Sequence, residues 1–319
     1  MKITYLVRNP GIASRTPEGW ESAVISARAD GSYAEEDLQH VEDADVLVVA
    51  LEPITEVLLS RAKQVKLVQR LGVGYDNVDL DAAARYGVHV CNMPDFNAAS
   101  VAEHTLMLIL GLLRRVFESN LSMKAGRWPL HAIVANGVFE LPGKTLGIIG
   151  LGSIGQEVAR RAKPFEVEIC YFDERRPPVA VEEALGASCV SLDTLLGRAD
   201  IVTLHVPLTS GTLRMIGRPE LGKMKRTAIL INTARGAIVD EEALADALEQ
   251  GVIAGAGLDV FAEEPLDPRH RLRRCPNVLL TPHVAGQSRE AMERMVGMML
   301  ENIQRVVRGE KPNYQVNPR

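Results

Sequence analysis

The chain is punctuated by short runs of consecutive apolar residues, many of them β-branched. They are Ile3–Val7, Val46–Ala50, Leu67–Leu71, Val88–Cys91, Thr145–Ile149, Glu168–Phe172, Ile201–Leu204, Ala228–Asn232, Ala256–Asp259 and Val278–Leu280. A strand covered on one face alternates apolar with polar residues, whereas a strand covered on both faces does not. Parallel strands buried on both sides are therefore expected. Helical stretches such as Thr55–Lys63, Gln156–Ala162 and Glu241–Leu248 stand between the runs. Repeated strand–helix units predict an α/β fold with parallel sheets. So many strands overfill one open sheet, and 319 residues suit two ordinary domains, so two are expected.

The segment Ser100–Asn120 reads as the hinge between them. Ser100-Val101-Ala102-Glu103 has capping-box spacing, which predicts a helix start. Apolar residues then dominate to Leu113, and a helix that is apolar nearly all round is a buried one. Arg289–Arg308 reads as a second long helix returning the chain to the first domain. Its Met292, Met295 and Met299 recur at helical spacing with Val296, Leu300 and Ile303, as core filling. Gly126–Gly143 reads as a loop, either a linker or an arm exchanged between subunits.

Composition removes several classes. The net charge of −5 disfavours a basic nucleic-acid surface, and 4% aromatics argues against base-stacking platforms. Cys91, Cys170, Cys189 and Cys275 lie far apart without a CxxC pair, so neither a zinc knuckle nor a redox dithiol is signalled and no metal is expected. Reduced thiols in the cytoplasm are the simple reading. Met1–Tyr5 reads as a strand, so no signal peptide is expected, and the apolar run Thr105–Leu113 is too short to cross a bilayer.

The run Thr145–Ile149 leads straight into Gly150-Leu151-Gly152-Ser153-Ile154-Gly155 and then into a helical pattern. This is G-x-G-x-x-G between strand and helix. The first Gly permits the tight turn, the second lets the backbone approach a pyrophosphate, and the third lets the helix pack on the strand. Asp173 ends the next apolar run, near the expected distance for an acid that accepts from the adenosine ribose 2′-OH. Dinucleotide binding in a Rossmann-like domain follows. A carboxylate there repels a 2′-phosphate, which favours NAD, with NADP as the alternative if Arg175 and Arg176 turn inward.

Three polar residues follow apolar runs in the second half: Arg235, Glu264 and His283. Ligands of open α/β sheets bind beyond the carboxyl ends of strands. Taken singly, each has a bland reading, as an end-of-element ion pair, a solvated charge and a satisfied histidine. Taken together, with Arg70–Asp79, Val101–His104, Gly150–Gly155, His205–Leu208, Asn232–Gly236, Gly257–Val260, Glu263–Leu266 and Thr281–His283, they form an ordered motif set. On that set the chain resembles the NAD-dependent D-isomer-specific 2-hydroxyacid dehydrogenases over nearly its whole length.

The resemblance implies a discontinuous substrate domain, 1–99 with 288–319, and an NAD-binding domain, 100–287, with the site in the cleft and a hinge around Ser100 and Gly286. His283 is implied as the acid/base. Glu264 is implied as its partner, stabilising the imidazolium, and Arg235 as the clamp on the substrate carboxylate and keto oxygen. Ser153 and Ile154 are implied to offer N–H groups to the pyrophosphate. Val206 and Pro207 would flank the adenine side, and Thr233, Ala234 and Asp259 would face the nicotinamide, Asp259 near its carboxamide. Val73 and Gly74 would hold the substrate carboxylate through backbone N–H groups, and Thr105 would touch the cofactor phosphates. A homodimer is implied, with Trp128 as an anchor.

Departures from the family narrow the substrate. The loop Val49-Ala50-Leu51-Glu52-Pro53 lacks the Arg with which phosphoglycerate-oxidising members hold phosphate. Val73 stands where phosphite-specific members carry Lys. A chain ending at Arg319 is expected to lack the regulatory domain of long phosphoglycerate dehydrogenases. The expected substrate is a small 2-oxo or 2-hydroxy acid of the glyoxylate or hydroxypyruvate type, with no nucleic-acid or membrane partner. The alternatives are a short-form D-3-phosphoglycerate dehydrogenase and, from another class, an NAD(H)-sensing corepressor-like interaction protein.

Overall fold

The computed structural model describes residues 1–317 except Asn9, Ala29 and Pro276. Pro318 and Arg319, within the segment 288–319 assigned above, lie outside the described residues. The chain divides into two compact units, Met1–Phe96 with the chain from Arg289 onward, and Asn97–Ser288.

The smaller unit is built on a parallel sheet of order β2-β1-β3-β4-β5. Its strands are β1 (Lys2–Leu6), β2 (Glu21–Ile25), β3 (Val46–Val49), β4 (Leu67–Arg70) and β5 (His89–Cys91). In β3, Val46 and Val48 join one core with Tyr5, Met295, Met299 and Ile303, while Leu47 and Val49 join another with Val41, Leu58 and Ala82. Both faces are thus covered, which is why the run is apolar at every position. The helix Arg289–Val307 supplies Met295 and Met299 of the first core, while Met292, expected there too, is exposed. Each core side chain contributes about 1.5–3 kcal/mol by leaving water.

The larger unit carries a parallel sheet of order β12-β11-β10-β9-β6-β7-β8. Its strands are β6 (Thr145–Ile149), β7 (Glu168–Phe172), β8 (Ala187–Cys189), β9 (Ile201–Leu204), β10 (Ile229–Asn232), β11 (Gly255–Leu258) and β12 (Val278–Leu280). Two sheets of parallel strands are what the apolar runs predict, and both are Rossmann-like, as the glycine motif and the resemblance imply. The helix Ala98–Leu113 lies against β10–β12, and the glycines of β11 make room for it: a Cβ on Gly257 would sit 3.1 Å from the Cβ of Leu108.

Three local expectations fail. The strands β2 and β8 are absent from the apolar runs because each lies on a sheet edge and is largely exposed there. The hinge helix starts at Ala98, two residues before Ser100. Ser100 Oγ is instead 2.7 Å from Ser288 Oγ, and Glu103 points to solvent toward Arg161, so the capping box is not formed. That helix also stops at Leu113, because Arg115 takes a left-handed φ of 49° before a new helix, Val116–Lys124. The stretch read as a loop contains the helix Leu130–Ala135, and Arg115 ties it back by donating to the carbonyls of Gly137 and Asn136.

Candidate active site

The strands β10, β11 and β12 are neighbours, so their carboxyl ends share one rim of the larger sheet. Arg235 follows β10. Asn232, almost fully buried, clasps the turn by accepting from Ala234 N–H at 3.0 Å and donating to the Arg235 carbonyl at 2.9 Å. The next residue must be Gly, because a Cβ on Gly236 would lie 1.8 Å from the Phe261 carbonyl carbon. This close approach packs the Arg235 loop against the loop that carries Glu264. Glu241 pins that second loop by accepting from Ala262 N–H at 2.7 Å.

His283 follows β12 with a φ of 55°, a left-handed conformation that costs a non-glycine residue energy and is held here by the surroundings. Its N–H donates to the Asp259 carbonyl at 2.8 Å. Its Nδ1 lies 2.7 Å from Glu264 Oε2, and Glu264 Oε1 accepts from Phe261 N–H at 3.0 Å. A carboxylate only accepts, so Nδ1 carries the proton and Nε2 is left for a reactant. Burial pushes the Glu264 carboxyl up. The hydrogen bonds from His283 and Phe261 and the charges of His283 and Arg235 outweigh that, and hold it below the ordinary carboxylate value. Arg235, Glu264 and His283 are therefore brought together.

Two of the implied residues are held by partners within the unit. Asp259 is fully buried and does not present a free carboxylate. Its Oδ1 accepts from the Thr281 hydroxyl at 2.6 Å and Val284 N–H at 3.0 Å, and its Oδ2 from Ala285 N–H at 2.8 Å. It fixes the turn that presents His283. His104 Nε2 backs Thr281 at 2.9 Å. Thr105 is likewise fully buried, donating to the Val101 carbonyl at 2.8 Å and lying 3.0 Å from the Thr233 hydroxyl. Its hydroxyl supports Thr233. Thr281 and Gly236 sit inside the motifs named above, yet their supporting roles depend on partners distant in sequence, whereas Asn232 acts on its own turn.

On the other side of the sheet crossover, the glycine motif forms a cradle. Gly150 has a φ of 95°, and a Cβ there would lie 2.8 Å from the backbone of His205 and Val206. A Cβ on Gly155 would lie 2.2 Å from the Gly150 carbonyl oxygen, whereas one on Gly152 meets nothing within 4 Å. The helix Ser153–Ala162 starts at Gly152 with no side-chain cap. Its first N–H groups, those of Ser153 and Ile154 among them, therefore face an open space fit for an anion. Asp173 braces the cradle, accepting from Leu151 N–H at 2.7 Å and Arg175 N–H at 2.8 Å. Val206 borders the turn, half-buried, and Pro207 is exposed. His205 Nε2 lies 2.9 Å from the Thr203 hydroxyl, and burial pushes the ring down to about 3, so it is neutral. These features fit a dinucleotide.

In the smaller unit, Asn92 donates to the Val73 carbonyl at 2.7 Å and so sets the turn Gly72-Val73-Gly74. Glu52 is buried, with Oε2 accepting from Leu51 N–H at 3.1 Å.

The family model for the D-isomer specific 2-hydroxyacid dehydrogenase NAD-binding domain matches residues 106–285. The chain is 43% identical over 283 residues to a glyoxylate reductase of Korarchaeum cryptofilum, covering 88% of this chain and 85% of that one. It is 42% identical over 292 residues to a D-3-phosphoglycerate dehydrogenase of Methanocaldococcus jannaschii, covering 91% of this chain and 55% of that protein. The NAD-dependent formate dehydrogenase of Staphylococcus aureus, solved with NAD, superposes with a TM-score of 0.83 at 32% identity, covering 97% of this chain and 96% of that one.

Proposed function

The chain belongs to the D-isomer-specific 2-hydroxyacid dehydrogenases and is an NAD-dependent oxidoreductase, and from that premise we propose that it reduces a small unphosphorylated 2-oxo acid of the glyoxylate or hydroxypyruvate type. The observation that carries the reading is the 2.7 Å His283–Glu264 pair, with Arg235 close enough for its charge to act on Glu264. The bound nicotinamide supplies the hydride. His283 Nε2 delivers the proton to the keto oxygen, and Glu264 stabilises the imidazolium from the far side of the ring. Arg235 holds the carboxylate in the plane of its guanidinium fork and polarises the keto oxygen. The N–H groups of Val73 and Gly74 take part in holding the carboxylate.

In the larger unit, Gly150, Gly152, Ser153, Ile154 and Gly155 hold the pyrophosphate, and Asp173 holds the adenosine ribose. Val206 and Pro207 flank the adenine side, and Thr233 and Ala234 face the nicotinamide. The substrate class rests on the loop after β3, which offers a buried carboxylate, Glu52, and no Arg. We further propose a cytoplasmic homodimer. Its support is the free state of the described cysteines and the apolar exposure of the arm, where Trp128 is 77% exposed. No helix among the described residues is long and apolar enough to cross a membrane.

NADH consumption with glyoxylate, hydroxypyruvate and 3-phosphohydroxypyruvate tests the substrate. Turnover is expected on the first two, and turnover confined to the phosphorylated acid would favour the phosphoglycerate dehydrogenase reading suggested by the Methanocaldococcus relative. Light scattering on the same preparation should read two copies per particle; a single-copy mass removes the dimer.

A further inference from the structure

We infer that Glu182 is a specificity-determining positioning residue, which holds the Arg176 guanidinium away from the adenosine ribose and so keeps the protein selective for NAD over NADP. This rests on Asp173 facing that ribose. Asp173 closes β7 and Arg176 lies three residues beyond it, where a 2′-phosphate would meet a cation if one were free to turn. Arg176 is not free to turn. Its Nε donates to Glu182 Oε1 at 2.8 Å and its Nη2 to Glu182 Oε2 at 2.8 Å, a two-point pairing of fork to carboxylate.

The grip has a physical source on the Glu182 side. Glu182 lies in the helix Val179–Leu185, and its side chain is only 9% exposed, although Arg176 itself is mostly in solvent. The phenol of Tyr171, a fully buried residue of β7, also donates to Glu182 Oε1. These two partners hold the Glu182 carboxyl down to about 2. If Arg176 swung toward a phosphate, an enclosed carboxylate would be left with one hydroxyl partner, and a buried charge stripped of its counter-ion is costly. A solvated surface Arg carries no such penalty. Selectivity for NAD is thus set twice, by the negative charge of Asp173 and by the withdrawal of Arg176.

Fluorescence titration of NADH and NADPH tests this without turnover, using wild type, Glu182→Ala, Glu182→Gln and the double variant Arg176→Ala/Glu182→Ala. The ratio of the NADPH to the NADH dissociation constant should fall in Glu182→Ala by about tenfold, the size of one charge-assisted hydrogen bond. It should fall less in Glu182→Gln, which keeps a partner for Tyr171 and serves if the alanine variant does not fold. It should return to the wild-type ratio or above in the double variant. A ratio within about twofold of wild type in whichever single variant folds, or a fall that persists without Arg176, overturns the inference. Wild type that binds neither nucleotide would instead overturn the cofactor site itself.

Discussion

The two halves of the larger sheet treat their hydrogen-bond donors in opposite ways. After β6 the donors of one helix start are left unspent: the helix Ser153–Ala162 has no side-chain cap, and Gly152 opens onto empty space. Around β10–β12 the turns are held by committed donors. Asn232 clasps one turn, Asp259 takes three donors from another, and Glu241 pins the loop between them. A binding surface needs free groups that a ligand can satisfy. A proton-transfer group needs neighbours that cannot move, because misplacement by about 1 Å can cost two orders of magnitude in rate. The division of labour is thus visible before any ligand is considered.

If the division is real, damage to the β12 end should affect rate and leave binding nearly intact. His283→Ala is expected to lower kcat by about 10²–10⁴-fold, the usual contribution of a positioned acid/base. The NADH dissociation constant should stay within about threefold of wild type, since His283 lies on the committed half. Stopped-flow kinetics beside a binding titration separates the two. Wild-type turnover in the variant removes His283 from proton transfer, and a binding loss as large as the rate loss collapses the distinction between the halves.

The glycines offer a sharper cut within one motif. Gly155→Ala forces a methyl to 2.2 Å from the Gly150 carbonyl oxygen and should destabilise the fold by about 1–3 kcal/mol, as overpacking does. Gly152→Ala meets nothing within 4 Å, so the melting temperature should barely move. Its methyl would stand in the space in front of the helix start, so NADH affinity should fall by about tenfold or more. Thermal melts and titrations on both variants decide it. Equal melting losses would mean that the space before the helix is not reserved for a ligand.

What the sequence disclosed follows the same logic. Strands covered on both faces, such as β3 with Val46 and Val48 in one core and Leu47 and Val49 in the other, are apolar at every position and legible at once. The edge strands β2 and β8 have little to bury and left no such trace. Arg235 and His283 were legible because each follows a legible strand. The hydrogen-bond partners of Asp259 and Thr105 were not, because a motif marks a polar side chain but not its partner. Asp259 turned inward to Thr281, Val284 and Ala285, and Thr105 to Thr233. The lock between Arg176 and Glu182 was hidden for the same reason: two ordinary surface-type residues, one of which folding encloses.

The smallest expected effect concerns charge at the committed half. Glu264 sits below its ordinary value of 4.5 in the folded protein. A depressed carboxyl binds its proton more weakly folded than unfolded, so its contribution to stability is fully present above about 4.5 and is lost as pH falls through the folded value. Glu264→Gln cannot ionise and has no such contribution. Wild type should therefore melt above Glu264→Gln at neutral pH, and the gap should close as the solution is acidified below about 4.5. Half-exposure of the pair screens its charge and keeps the gap small, near the scale of a surface ion pair at about 0–1 kcal/mol. A gap that widens on acidification would mean that burial, not His283 and Arg235, governs Glu264. The committed half would then hold its histidine by shape alone.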